Sequence, residues 1–535
     1  MKRFQGLLAL VTFLAIALGC SATPGQLPSL DLQAEPIRQE SANPYVFQVS
    51  YGQVQSAPNL PALTDKLRIE GPNGFASEAH RVSRKGNTLQ FQVQAPGERW
   101  DVQDNGTYTV SLRQAETTLP IGRFRVAIAE PKSTSSENEA LQPLPDFGAT
   151  GRSIGSTYYV SPTGDDGNSG TRSNSPFRTA EKALSMVGPG DTVQFAAGTY
   201  EALRITGLRG EAGKPITLRG DRDALFTAGS HERDAGIWIE DSSQVILDGL
   251  TARRSLWGIM GEKLQHVTIR NCHVYDTGQE AVHVRDRSSH ILIAENSIHD
   301  TGRRGGEYSR YGEGIYVGVG ASGGDEDGTH HVLLHRNEIF RTSAEAIDLK
   351  RGLHDLIAQY NSIHDINTEV RAAVNVMDGP TGQEHDYVVR GNQIYNISGK
   401  LHDSDGTGIR VFGGGVEVYN NVVYNTEAYG IRSEGDKGGD RKIYYNTVFN
   451  GGSEGDIVDD SGKADLRNNI GASEGDNIPS RQSLFVDANH GDFRLSESAT
   501  SAIDQGHALT DITTDIMGGA RPLGRGYDLG AYENW

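Results

Sequence analysis

A recurring asparagine constrains this chain more than any other feature. Short apolar stretches are followed by Asn-x-(Ile/Val), which gives Asn296, Asn337, Asn361, Asn392, Asn421, Asn446 and Asn468. Asp248 and Cys272 occupy the same column in the two units before. The intervals are 24, 24, 41, 24, 31, 29, 25 and 22 residues. A unit this short cannot bury its own apolar face, so successive units must stack on a shared core. About 22–25 residues, with a few enlarged members, suits one coil of a three-sided parallel β-helix. Stacked asparagines hydrogen-bond along the ladder, which accounts for the column. Cys272 is then an inert buried ladder residue.

Composition agrees. There are 66 Gly in 535 residues without a collagen period, which favours many short strands and turns. The net charge of -19 repels phosphates and excludes a nucleic-acid partner. Two cysteines exclude a disulfide scaffold and a cysteine-based zinc cluster.

Along the chain, Lys2 and Arg3 precede an apolar run from Leu7 to Leu18, then Gly19 and Cys20. That reads as a secretory signal over residues 1–20, too short to span a bilayer. Ala17-Leu18-Gly19-Cys20 resembles a bacterial lipobox, which implies lipidation of Cys20 and a lipid-anchored or secreted protein of the cell envelope. Loss of membrane association in a Cys20→Ser variant is the check. Residues 21–35 read as a tether. Alternating strands follow over 36–128, among them YVFQVSYG, TLQFQVQAP and GTYTVSLRQ. RWDVQDNGTYTVSL resembles the Ig-like modules of bacterial surface proteins, which implies a small β-sandwich. Residues 129–155 lack periodicity and read as a linker. The segment from Tyr158, with an amphipathic piece at Thr179–Val187, resembles the N-terminal cap of bacterial right-handed parallel β-helix proteins. DFRLSESATSAIDQGHALTD resembles their C-terminal segment. The expected fold class is therefore all-β: a right-handed parallel β-helix over 156–475 with a cap over 476–535, preceded by the Ig-like sandwich.

A second alignment locates a candidate site. The strands AVHVRD, GIYVGV, AIDLKR, AVNVMD, GIRVFG and GIRSEG place Ile and Val inward. The outward column reads His283, Tyr316, Asp348, Asn375, Arg410 and Arg432. Two residues on come Arg285, Gly318, Lys350, Met377, Phe412 and Glu434. Glu280, Glu313 and Glu345 stack just before the strands. Coils ~4.8 Å apart match the spacing of sugars along a chain. Tyr316 and Phe412 suit ring stacking, and Asn375, Arg285, Arg410 and Arg432 suit hydrogen bonding to uronate carboxylates. Insertions such as GRRGGEYSRYGEG, GASGGDEDGT, DGPTGQEH and SGKLHDSDG flank the same strands and are expected to wall this face.

β-Elimination on a uronic-acid polymer needs a cation at the carboxylate, a base for the α-proton and a proton for the leaving oxygen. Lys350 suits the base if its pKa falls. Asp348 and Glu345 oppose that fall unless a metal ion occupies them, and Glu313, Glu345 and Asp348 are oxygen ligands suited to Ca²⁺. Glu345-Ala-Ile-Asp-Leu-Lys350 resembles the Glu-x4-Lys segment of β-helix alginate lyases and chondroitinase B. The resemblance implies that Glu345 binds Ca²⁺, that Lys350 is the base, and that Arg371, 21 residues on, is the acid. The chain departs from that pattern at Arg371-Ala-Ala and at Ser343. His283, beside Glu280 and Arg285, is a further acid/base candidate. The expected function is an acidic-polysaccharide lyase, working as a monomer. A non-catalytic glycan-binding lipoprotein, a uronan epimerase and a glycoside hydrolase using Glu313 and Asp348 remain alternatives.

Overall fold

The computed structural model describes residues 30–33, 45–51, 66–71, 75–85, 88–95, 106–114, 117–126, 148–149 and 155–534, except 321–326, 369–370, 378–386, 400–404, 436–438 and 510. The chain divides into two compact units, Met1–Glu137 and Asn138–Trp535. Cys20 and the signal segment lie outside the described residues. So do most of the linker and most of the insertions around 321–326, 378–386 and 400–404.

In the first unit seven strands, Leu30–Gln33, Tyr45–Tyr51, Lys66–Glu70, Ala76–Lys85, Thr88–Val93, Gly106–Gln114 and Thr117–Val126, pair antiparallel. Their order in the sheet is first, second, fifth, fourth, third, sixth, seventh. Strict alternation in Thr88–Val93 buries Leu89, Phe91 and Val93 beside Phe47, Leu67, Ile69 and Tyr108. One expectation is revised here: Leu30–Gln33, read as tether, pairs with Tyr45–Tyr51. The two edge strands of the sheet, Leu30–Gln33 and Thr117–Val126, also approach each other.

The second unit is a parallel solenoid of three sheets with ten, ten and twelve strands. Each coil contributes one strand to each sheet, and each strand pairs in parallel with its equivalent one coil on. The helical piece forms at Ala180–Leu184, where Thr179 caps it by accepting from the Lys182 amide. Ala180 and Ala183 close the first coil with Val160 and Phe177. A separate cluster around Phe485, Phe493, Leu495 and Tyr532 closes the other end. Between them the interior is aliphatic, and each such side chain contributes ~1.5–3 kcal/mol on burial. Within the linker, the Gly148 amide donates to the His290 carbonyl and the Thr268 hydroxyl donates to the Ala149 carbonyl. These two residues therefore lie on the twelve-stranded sheet.

The asparagine ladder is continuous from Asn296 through Asn337, Asn361, Asn392, Asn421 and Asn446 to Asn469 and Asn477. Each Oδ1 accepts from the backbone and side-chain amides of the preceding rung. Cys272 is fully buried in the column, and its amide donates to Asn296. Both ends of the sequence alignment shift. Asn469, not Asn468, is the ladder residue, and Leu250 stands where Asp248 was placed. The cause lies in the backbone. The residue before each rung is left-handed: Gly249, Asn271, Glu295, Arg336, Tyr360, Gly391, Asn420, Tyr445 and Asn468. Asn468 fits the motif by accident, because it fills the left-handed corner and exchanges hydrogen bonds with the His507 backbone. Asp248 is instead the partner of Arg219, Arg270 and Asn271. At Gly391 the corner tolerates no side chain, since a Cβ would meet the Tyr360 ring at 2.6 Å.

Asn361→Ala should be costly. The side chain accepts from the Asn337 amide and Asn337 Nδ2, and donates to Leu334 O and Asn392 Oδ1, at 2.9–3.1 Å. Buried groups left without partners cost ~1–3 kcal/mol each, so a loss of about 3–6 kcal/mol is expected. Denaturant unfolding measures it, and a wild-type midpoint would contradict the ladder's role.

Candidate functional site

The second ten-stranded sheet carries the candidate residues. Its inward column stacks Val282, Ile315, Ile347, Val374, Ile409 and Ile431, all fully buried. That column fixes the register. The next residue of each strand then falls into line as His283, Tyr316, Asp348, Asn375, Arg410 and Arg432. The glutamates stack as well, because the Ala281 amide donates to the Glu313 carbonyl and the Gly314 amide donates to the Glu345 carbonyl.

The face is far less open than an exposed strand surface. Asp348 is 0% exposed, Asn375 2%, Arg410 4%, His283 5% and Tyr316 7%. Glu280, Glu313 and Glu345 are buried too. Carboxylate oxygens of Glu313, Glu345 and Asp348 lie within 4.8 Å of one another. Among the described residues, Glu313 Oε2 and Glu280 Oε2 have no hydrogen-bond partner. Burial raises all three glutamates: Glu280 to about 7, Glu345 to about 8 with Asp348 adding to it, and Glu313 well above the usual range, with Glu280, Glu345 and Asp348 adding to it. Lys350 and Arg371 oppose the rise at Glu345 only in part. The triad's donors are all hard oxygens, so the residues fit a hard divalent cation. One carboxylate oxygen each of Glu313 and Asp348 lies closer than the ~6.5–9.5 Å usual between the carboxyl groups of an inverting hydrolase.

Lys350 Nζ sits 2.5 Å from Asp348 Oδ2 and 4.6 Å from the centre of the Tyr316 ring. Burial pulls the Lys350 pKa down, but Asp348, Tyr316 and Glu345 together outweigh it and hold the group above its usual value. The ammonium covers the Tyr316 ring, so that ring is engaged by the protein's own cation rather than open for sugar stacking. His283 Nε2 lies 2.9 Å from the Gly318 carbonyl and therefore carries the proton, and Nδ1 points toward Glu280 Oε1 at 3.9 Å. Burial lowers the His283 pKa to about 3, so the imidazole is neutral.

The arginines divide into two groups. Arg410 donates to Asn375 Oδ1 at 2.8 Å and to Glu434 Oε1 at 2.5 Å, and packs on Phe412 at 4.6 Å. Arg432 binds Glu434 and Asp460 at 3.0 and 2.8 Å. Arg285 binds Glu262 through Nε at 2.7 Å. Three arginines expected to meet substrate are thus already paired with internal acids. Since Asn375 Nδ2 also donates to Asp348 Oδ1 at 2.9 Å, one polar chain runs Lys350–Asp348–Asn375–Arg410–Glu434–Arg432–Asp460. Arg371 differs. It lies in a bend just before Ala372–Val376, is exposed, and has no ion pair among the described residues. Its charge is felt at both Glu345 and Arg410. The acid partners Glu262, Glu434 and Asp460 were not picked out from the sequence, although Glu434 lies in the second outward column.

Residues 211–324 match the family model for the right handed beta helix region. The solenoid is a right-handed parallel β-helix. Over 150 residues the chain is 31% identical to the uncharacterized protein YwoF of Bacillus subtilis, a match covering 27% of this chain and 29% of that protein. The chain thus matches less than a third of that relative's length. Among solved structures it is similar to an alginate lyase from a Paenibacillus species, with 21% identity, TM-score 0.43, and 56% and 95% of the two chains covered. It is similar also to the pectate lyase Pel9A, with 14% identity, TM-score 0.47, and 73% and 99% covered. The β-helix, which forms the larger unit, carries the whole of the candidate site.

Proposed function

We propose that this protein is a polysaccharide lyase that cleaves a uronic-acid polymer by β-elimination. The observation carrying this reading is the contact of a half-buried lysine with a buried acidic triad, Lys350 on Asp348 beside Glu313 and Glu345. The three carboxylates would hold Ca²⁺, whose two positive charges would offset part of their charge and attract the substrate carboxylate. With the acids partly offset, their upward pull on Lys350 weakens, and burial favours the neutral amine. Lys350 Nζ then takes the proton α to the uronate carboxylate. The electron pair forms the new C=C bond, the C–O bond to the neighbouring sugar breaks, and the leaving oxygen is protonated. An arginine does not give up its proton, so exposed Arg371 acts as a cation that grips substrate, and water completes the leaving group. Neutral His283 helps to shape the adjoining coil.

The test is incubation with alginate, pectate and glycosaminoglycans in Ca²⁺. The expected result is ultraviolet absorbance of an unsaturated uronate from one of them. New reducing ends without absorbance would replace the lyase by a hydrolase. Binding with neither signal would leave a non-catalytic glycan binder.

A further inference from the structure

Five histidines collect on a different part of the solenoid, at the start of successive strands of the twelve-stranded sheet. His330 pairs in register with His354 one coil on. His266, His290 and His331, with Asp355, occupy the next position of their strands, and all four are left-handed. That backbone favours Asn, Asp and His, which accounts for one column. It does not account for His330 and His354, which lie outside it.

The rings form one assembly. His330 and His354 stack at 4.6 Å and 8°, His290 and His331 at 4.6 Å and 23°, and His266 and His290 at 4.4 Å. His330 Nδ1 and His331 Nδ1 are 2.7 Å apart, so at least one of them is a lone pair facing the other nitrogen or its proton. Asp355 Oδ2 lies 2.7 Å from His354 Nδ1 and 3.2 Å from His331 Nδ1. One donor atom from each of His330, His331 and His354 falls within 4.8 Å of the other two. Imidazoles crowded this way repel one another when protonated.

We propose that His330, His331 and His354 form a binding site for a borderline transition-metal ion of the Zn²⁺ type, separate from the carboxylate triad. Three nitrogens on Zn²⁺ at ~2.0–2.1 Å stand ~3.4 Å apart, so the stacked His330 and His354 rings would turn out of their parallel arrangement to aim at one ion. Asp355 Oδ2, shared between His354 Nδ1 and His331 Nδ1, is the carboxylate that would orient these two rings beside the ion. Nitrogen donors select against Ca²⁺, so the two sites sort ions by chemistry. The site sits on coils shared with Glu345 and Lys350, yet none of its ligands belongs to the acidic pocket.

The test uses untagged, chelator-stripped protein titrated with zinc chloride by calorimetry in excess Ca²⁺. One Zn²⁺ per chain is expected. A His330→Gln/His354→Gln double variant should weaken binding at least tenfold while Glu345→Gln leaves it unchanged. Wild-type protein loaded with Co²⁺ should show the visible absorption of a low-coordinate nitrogen site, a readout that needs no variant to fold. Absence of saturable Zn²⁺ binding, unchanged affinity in the double variant, or loss of Zn²⁺ in Glu345→Gln would each overturn the proposal.

Discussion

Lys350→Arg is expected to abolish uronate cleavage while leaving the fold as stable as wild type. A general base contributes about 10²–10⁴-fold to rate, and a guanidinium does not deprotonate. Arginine keeps the positive charge against Asp348, so the buried carboxylate stays paired. Lys350→Ala should lose the same turnover and, in addition, about 3–5 kcal/mol of stability, because it strands Asp348 at 0% exposure. Comparing the two variants separates the chemical role from the structural one. Parallel rate and unfolding measurements decide it: cleavage by Lys350→Arg at the wild-type rate would move the base elsewhere, with His283 the next candidate.

The second large effect is on stability against pH. Glu280 and Glu345 have pKa values raised to about 7 and about 8 from 4.5 in the folded protein, with Glu313 raised as well. A carboxyl whose pKa rises on folding binds its proton more tightly in the folded state. Its contribution is complete below about pH 4.5 and is lost as pH climbs through 7 and 8. At ~1.4 kcal/mol per pH unit for each group held protonated, the metal-free protein should lose several kcal/mol between pH 5 and 8. A melting temperature in EGTA that falls across this range is the expected result. Millimolar Ca²⁺ should restore it at pH 8, since an ion at 100 times its Kd adds ~2.7 kcal/mol. A flat profile in EGTA would show that the triad is ionised and solvated, and would remove the motive for a cation there.

The coil periodicity and the outward column were legible in the sequence because both follow from a buried aliphatic register. Once Ile315, Ile347, Val374 and Ile409 must stack, Tyr316, Asp348, Asn375 and Arg410 can only stack beside them. What sequence could not supply was depth. An outward residue on a strand is normally wet, yet Asp348 and Asn375 are buried and hydrogen-bonded to each other. Tyr316 is likewise covered by Lys350. The ladder slipped at Asn468 because the motif records residue type and spacing, whereas the rung is defined by the left-handed corner before it. The histidine assembly escaped notice because its two columns differ by one position and join only across the coil corner.

Residues 338–361 complete one rung of 24 residues, beginning just after Asn337 and ending at Asn361. This single segment contains Glu345, Asp348, Lys350 and both His354 and Asp355. Its flanks, Asn337 and Asn392, present the same hydrogen-bonding groups to either neighbour. Excising it would let the column close on itself one storey shorter, stripped of the lysine and two of the three acids at once. The ladder thus makes chemistry a property of whole storeys. Such a tower can gain or shed a reaction by duplication or deletion of a rung, while its cohesion is carried by the asparagines that every rung repeats.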